Sequence, residues 1–537
     1  MNKAKNNTRT LKLLLCGCAT GIACGVVISL FLVCARIVIS FAFGMYRNAN
    51  FALAIVCVIF LVLTCCLIMA VLQTLVPSSR GSGIPLAEGC ARGILKVKWL
   101  RTAAALIAGS LLSFLSGMPL GSEGPSIGVG GLIGDGIGKA ANKSASSEFR
   151  RYLITGGSSA GLAVAFNAPL TGVAFALEET HRRFSPNILL AAFSAVIPAI
   201  LTSQLLYWGL GQSAYLHSIG VREGFTVLPF LAQTAYGSVG AFFSVCLIAV
   251  ICGALCAALG VAFNRVIALL GKLFSRIKSN ALRLLPAFVL TLVCGLILYK
   301  TIGSGEAMLD GVIEHPVLWL MFVLLLVRFV ITAVASGSGA TGGLFIPMIA
   351  IGGLIGAIAA DVSKRCGLDS TYAPNVIMLC VSAYFAASVR APISAIAMSV
   401  ELTASFANLL PCAIAVAVAT AVAGITRTEP LYERMMRDLQ HNASLPVTAK
   451  NLTVRGVIAE NSMISGKLIR DILWPYNALV TELERGDRDI VPDGETELMD
   501  GDILTVRAEL VDPQYFMETI TDYIKLIDSE TCKQQSE

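Results

Sequence analysis

The chain has 537 residues, of which 56% are hydrophobic and only 14% charged, with a formal net charge of +6. That balance excludes a soluble domain and leaves a polytopic membrane protein, whose edge lysines and arginines account for the charge without a nucleic-acid partner. The 16 cysteines lie mostly inside apolar runs, as at Cys65-Cys66 and Cys246, Cys252 and Cys256. They read as small packing residues rather than disulfides or metal ligands.

Taken in order, a basic N-terminus precedes long apolar helices at 12–46 and 51–77, and the first reads as a retained membrane helix with its N-terminus in the cytoplasm. GSGIP follows at 81–85, then a basic loop from Lys96 to Arg101 that belongs on the cytoplasmic side. Shorter apolar segments come next at 102–119, 125–140, 151–165 and 169–182, and a longer one at 187–208. Such short segments suit helices that span partway, with ends buried in protein. A second half starts near Leu228 and predicts helices over 232–274, 284–300, 316–336, 343–361, 373–389, 392–406 and 408–425, with a loop at 302–315.

From about residue 440 the composition turns polar and alternating. Strands are predicted at 452–460 and 477–486, a short amphipathic helix at 465–473, turns at Asp493-Gly494 and Asp500-Gly501 beside further strands, and a helix over 513–527. The expected organisation is an all-α membrane domain at 1–440, with repeats at about 12–208 and 228–425, followed by a small cytoplasmic α+β domain at 441–537.

The two halves are related. PSIGVGGLIG (125–134) matches PMIAIGGLIG (347–356), 222 residues apart, which sets Phe345 against Glu123. AGLAVAFNAPLTGVAFALEE (160–179) matches AYFAASVRAPISAIAMSVEL (383–402), 223 residues apart, which sets Pro169 on Pro392 and Glu178 on Glu401. Duplicated apolar units broken by glycine and proline at equivalent places point to a site near the bilayer midplane.

Three glycine-rich breaks precede helix starts: GSGIP, GSEGP (121–125) and GGLFIP (342–347). Each can aim unpaired amides and a positive helix end at one point, which makes an anion site. Amides and hydroxyls without fixed cations suit a small anion that must also leave. Glu123 stands in that site, where it can compete with the anion and carry a proton; burial and nearby amides act on its proton affinity in opposite senses. A carboxylate in a membrane core costs ~2.5–3.5 kcal/mol. Plainer roles exist beside these: N-capping for Glu123 and Ser82, an interfacial anchor for Tyr432, and an edge ion pair with Arg182 or Arg183 for Glu179. An intramembrane enzyme is disfavoured, because the four histidines are dispersed and no HExxH or nucleophile–base pair exists.

GSGIP, GSEGP, GGLFIP and PLY (430–432), in that order over about residues 12–438, resemble the four anion-pathway motifs of the CLC chloride channels and chloride/proton antiporters. The resemblance implies an inverted-repeat homodimer with one pathway per subunit. It implies that Ser82 and Tyr432 hold a central anion by hydroxyls, that Leu344 and Phe345 add amides, that Glu123 gates the outer anion site, and that Glu179 transfers protons on the inner side. The implied activity is chloride/proton antiport, with a passive chloride channel as the other reading and a fluoride exporter as a third. Ser122 departs from the family's usual basic residue, which removes a charge beside Glu123. Thr341 replaces a frequent proline, and little is expected from it.

Residues 466–506 resemble the C-terminal lobe of RCK (TrkA-C) regulatory domains. That likeness implies dimerisation and, around Pro475, Asn477 and Ala478, a pocket for a small ligand such as cyclic di-AMP. Together the readings predict a multi-pass bacterial plasma-membrane protein with both termini cytoplasmic, transporting chloride and protons, without a cofactor or metal.

Overall fold

The computed structural model describes residues 2–49, 52–141, 147–180, 185–211, 239–314, 317–366, 372–406, 408–442, 450–459, 462, 464–475, 478–486, 488–510, 516–517, 520–521 and 523–527. The expected start of the second half near Leu228, Arg182, Arg183 and Asn477 lie outside these residues.

Helices α1 (Asn2–Arg47), α2 (Ala52–Leu75), α3 (Gly83–Ala91), α4 (Trp99–Leu115), α5 (Glu123–Ala141), α6 (Ser147–Phe166), α7 (Pro169–Phe175) and α8 (Pro186–Gly209) form the first half. The second half is α9 (Val239–Ser275), α10 (Asn280–Ile297), α11 (Glu306–Glu314), α12 (Leu318–Gly337), α13 (Phe345–Arg365), α14 (Ala373–Val389), α15 (Pro392–Thr403) and α16 (Leu409–Ile425), followed by α17 (Leu431–Asn442). Among the described residues, seven helices are long and apolar enough to cross a membrane, and several others are too short. The domain thus mixes full spans with helices too short to cross.

The repeats meet as equivalents. Gly121 and Gly343, matched in the duplication, pair as an isolated antiparallel bridge: the Gly121 amide donates to the Gly343 carbonyl at 2.8 Å and the Gly343 amide returns a bond at 2.7 Å. A residue pairing with its own repeat partner lies on a two-fold axis. The chain before α7 and α15 is also equivalent. Asn167 (φ 50°) and Arg390 (φ 69°) both take the left-handed conformation that ends a helix, and a proline then opens the next one. Across the same axis the Glu178 carboxylate accepts from the Ile393 and Ser394 amides at 2.9 and 2.8 Å, capping α15. Glu401 accepts from the Leu170 and Thr171 amides at 2.7 Å each, capping α7. Each repeat thus supplies the acid that finishes the other's broken helix.

Three sequence expectations fail locally. The segment 302–315 is not all loop: Gly303 and Gly305 turn the chain at positive φ, and α11 then buries Met308 and Val312, one helical turn apart. Buried Arg328 anchors the preceding turn by donating to the carbonyls of Gly303 (2.6 Å) and Ser304.

The last domain is a five-stranded antiparallel sheet of β1 (Lys450–Val457), β2 (Ala478–Arg485), β3 (Arg488–Ile490), β4 (Ile503–Leu510) and β5 (Lys525–Leu526), in the order β3-β2-β4-β1-β5. The predicted helix at 465–473 is instead an extended crossing with one tight turn at Ile469–Asp471. The amides of Gly466, Ile469 and Arg470 donate to the carbonyls of Leu498, Thr496 and Gly494, and this pairing outcompetes helix formation. The predicted helix over 513–527 also stops early, because Lys525 and Leu526 join the sheet against Val457 and Gly456.

The sheet domain touches the membrane domain. Lys467 Nζ lies 3.4 Å from the buried Glu148 carboxylate of α6. The Arg151 guanidinium donates from Nη1 to the carbonyls of Leu473 (2.7 Å) and Trp474 (3.1 Å), and from Nε to the carbonyl of Ala91 at the end of α3 (2.7 Å).

Candidate anion and proton site

The three glycine-rich breaks converge. A Cβ built on Gly124 would fall 2.5 Å from the Ser82 hydroxyl and 2.7 Å from the Gly343 Cα, so the starts of α3, α5 and α13 touch at this point. Only glycine permits this approach. Ser82 caps α3, its Oγ accepting from the Ile84 amide at 3.4 Å, which leaves its O–H as a donor.

Glu123 is fully buried at the first turn of α5. Its side chain leaves that helix and seats on another one. Oε1 accepts from the Ile346 amide at 2.9 Å, and the Phe345 amide faces the same carboxylate. Oε2 meets no hydrogen-bond donor among the described residues. The carboxylate therefore occupies an anion seat at the positive end of the 21-residue α13. Gly121 and Gly343 form the walls, since a Cβ on either would lie within 2.6 Å of a Glu123 carboxylate oxygen.

Below the seat runs a string of aromatic rings. Phe345 packs at 4.7 Å on Phe166, 4.3 Å on Phe385 and 6.4 Å on Phe175, and Phe175 lies 6.4 Å from Tyr432. Tyr432 is fully buried at the start of α17, and its hydroxyl has no hydrogen-bond partner among the described residues. It lies within the electrostatic reach of both Glu123 and Glu179.

Glu179 is buried on the turn Ala176–Thr180, which is widened to i→i+5 hydrogen bonding. Such widened turns are rare and often mark functional positions. Arg92 fixes that turn from the end of α3: Nη2 donates to the Glu179 carbonyl and Nε to the Thr180 carbonyl, both at 2.9 Å, while Glu88 balances the guanidinium at 2.6 Å. The two neighbouring acids thus differ in kind, because the Glu178 carboxylate is committed to capping α15.

Ser82, Glu123, Leu344 and Phe345 gather where α3, α5 and α13 start, Phe345 reaches Tyr432 through the Phe175 ring, and Glu179 lies on the turn Ala176–Thr180 that follows Phe175. Leu344 stands as the residue before α13, and the amides that meet Glu123 belong to Phe345 and Ile346. Sequence reasoning passed over Ile346, although the rule that the first helical amides are unpaired points to it. It also passed over Arg92 and Arg151, whose partners are backbone carbonyls distant in the chain. Thr341 does more than expected: its hydroxyl donates to the Ser79 carbonyl at 2.8 Å, and its carbonyl accepts from the Ser113 hydroxyl at 2.5 Å. Those bonds tie the loop before α13 to the loop before α3 and to α4. Pro475 is buried and Ala478 half-buried, next to the Leu473 and Trp474 carbonyls that hold Arg151.

An inverted pair of repeats whose broken helices end at one buried point defines a membrane protein of the class that handles small ions at mid-bilayer. The chain belongs to the voltage gated chloride channel family, whose sequence signature matches residues 64–424; a TrkA-C domain signature matches residues 454–516. It is 31% identical over 379 residues to the H(+)/Cl(-) exchange transporter ClcA of Vibrio parahaemolyticus, covering 69% of this chain and 76% of that protein. It is 29% identical over 370 residues to ClcA of Yersinia pestis, covering 67% of this chain and 73% of that one. A solved structure described as a slow cyanobacterial Cl-/H+ antiporter superposes with a TM-score of 0.70 at 25% identity, covering 81% of this chain and 98% of the other.

Proposed function

We propose that the protein exchanges chloride for protons across a bacterial plasma membrane, with Glu123 as the gate. The observation that carries this reading is the Glu123 carboxylate seated on the first amides of α13. A carboxylate there stands in for a chloride ion, so chloride and ionised Glu123 compete for one seat. Protonation removes the negative charge that holds the side chain at the helix end, and the seat opens to chloride. The gate therefore picks up a proton when it leaves and releases one when it returns. Ser82 and Tyr432 supply hydroxyl donors to a second, central anion position. Glu179, held by Arg92 on its widened turn, delivers protons from the other face. The exchange transporters among its relatives support the same reading.

The protein acts as a homodimer with both termini cytoplasmic. The TrkA-C domain regulates transport through its contact with α6, whose Arg151 also holds the end of α3. A small ligand such as cyclic di-AMP, bound around Pro475, Asn477 and Ala478, would act on the residues that grip Arg151.

The deciding experiment measures proton movement driven by a chloride gradient in proteoliposomes with voltage clamped by valinomycin and potassium. Uphill proton flux in the wild type that disappears in Glu179→Gln, with chloride flux retained, is the expected result. Chloride flux without coupled protons in the wild type would make the protein a passive channel.

A further inference from the structure

A second cationic group lies beside the anion site and takes no part in the mechanism above. Arg80 immediately precedes Gly81 and Ser82. Its guanidinium donates to the Asn280 side-chain oxygen at 2.7 Å, at the first residue of α10. Arg283, one turn further along α10, donates to the Gln73 side-chain oxygen at 3.1 Å. Both guanidinium groups are therefore oriented by neutral amides. Neither makes an ion pair with a carboxylate among the described residues.

The charges accumulate rather than cancel. Arg80 binds the first residue of α10 and Arg283 stands one turn along it, so two like charges share that turn. They also stand at the positive end of an 18-residue helix that has no acid in its first turn and no side-chain cap, where cations are disfavoured. Arg283 is only 8% exposed. The Nε atoms of both arginines are buried and lack a hydrogen-bond acceptor. Two orphaned donors on like charges, next to an uncapped helix start, make an arrangement that an anion would complete.

The cluster is wired to the Ser82 loop. Gln73, which holds Arg283, also donates to the Gly339 carbonyl at 2.8 Å and to the Thr341 hydroxyl at 3.3 Å. The Gly81 amide donates to the same Gly339 carbonyl at 3.1 Å. Arg276 and Lys278, just before α10, make this edge of the chain more basic still.

We propose that Arg80, Arg283 and the start of α10 form a binding site for a small monovalent anion, an antechamber that concentrates the transported halide beside Ser82. The inference rests on the halide-transport reading. Deeply set Nε donors suit a single monatomic ion. The charge that Ser122 no longer provides beside Glu123 is present here, next to Ser82.

The probe is bromide. Crystals of the full-length protein grown in bromide should show an anomalous peak between the two guanidinium groups, absent in Arg80→Gln and Arg283→Gln. In liposomes at low ionic strength, each glutamine variant should raise the chloride KM about tenfold, a larger change than any fall in kcat, and added inert salt should shrink that difference. Arg80→Lys should recover most of the affinity, which separates a lost charge from a folding defect. No peak in the wild type would overturn the proposal. A peak with an unchanged KM in both glutamine variants would also overturn it, leaving an adventitious ion only. A wild type that moves no chloride would overturn the transport reading instead, and the bromide peak remains readable without transport.

Discussion

Replacing Gly121 by alanine should unseat Glu123 while leaving the acid in the chain. A Cβ at this position would lie 2.1 Å from Oε2, 2.6 Å from Oε1 and 2.7 Å from Cδ of Glu123, so all three nearest atoms belong to that one carboxylate. Gly121 does not occupy the left-handed region, so alanine suits its backbone. The overlap is relieved by moving the flexible carboxylate off the α13 amides. The hydrogen bond from Ile346 to a charged acceptor then goes, a loss of ~1.5–3 kcal/mol, which corresponds to about a tenfold to hundredfold lower occupancy of the seat. Chloride meets less competition and slips past. In voltage-clamped proteoliposomes, protons moved per chloride should fall at least about tenfold, with chloride flux maintained or increased. Glu123→Gln should give the same phenotype, and adding Gly121→Ala to it should change little, because both act on one seat. A Gly121→Ala protein of wild-type stability with the wild-type proton-to-chloride ratio would refute the competition argument.

Glu178→Gln and Glu401→Gln should each lower thermal stability by about 1 kcal/mol, the usual scale of a lost cap, while proton coupling survives in both; a coupling loss in Glu178→Gln alone would give that residue a transport role. Arg151→Ala should release the sheet domain from α6, read as faster proteolytic cleavage between residues 442 and 450, and unchanged cleavage would show that the carbonyl contacts do not hold it. Asp493 accepts from the Thr496 hydroxyl at 2.7 Å and the Glu495 amide at 3.0 Å, and these bonds hold its carboxyl below the usual aspartate range. With the folded pKa depressed, its stabilising contribution is present above the unfolded value and is lost as pH falls through the folded one; carboxyl NMR should show Asp493 titrating at higher pH in Thr496→Val, and an unmoved titration would dismiss the hydroxyl as the cause.

Much of the site is legible in the sequence because its logic is local. A glycine-rich break with a proline behind it announces a helix start, and a helix start announces amides; Ser82, Glu123 and Phe345 follow from position in such motifs. The repeat is legible for the same reason, as a similarity at constant spacing. The roles of Arg92 and Arg151 are not, because carbonyls carry no sequence identity. The helix expected at 465–473 shows the opposite failure: its amphipathic pattern is real, but a neighbouring segment offers better partners for its amides. Gly303 and Gly305 read as loop residues and are, yet the nine residues after them still build α11 around Met308 and Val312.

The exchanged caps of Glu178 and Glu401 bear on how such a chain is made and how it arose. During synthesis the start of α7 waits for an acid 231 positions downstream. The first half cannot complete this cap alone, and neither can the second. In an ancestor with a single copy of the unit, the same two contacts would have been one contact made twice, between two molecules inserted in opposite orientations. In the single chain, an association that would otherwise depend on concentration is one that every molecule carries within itself.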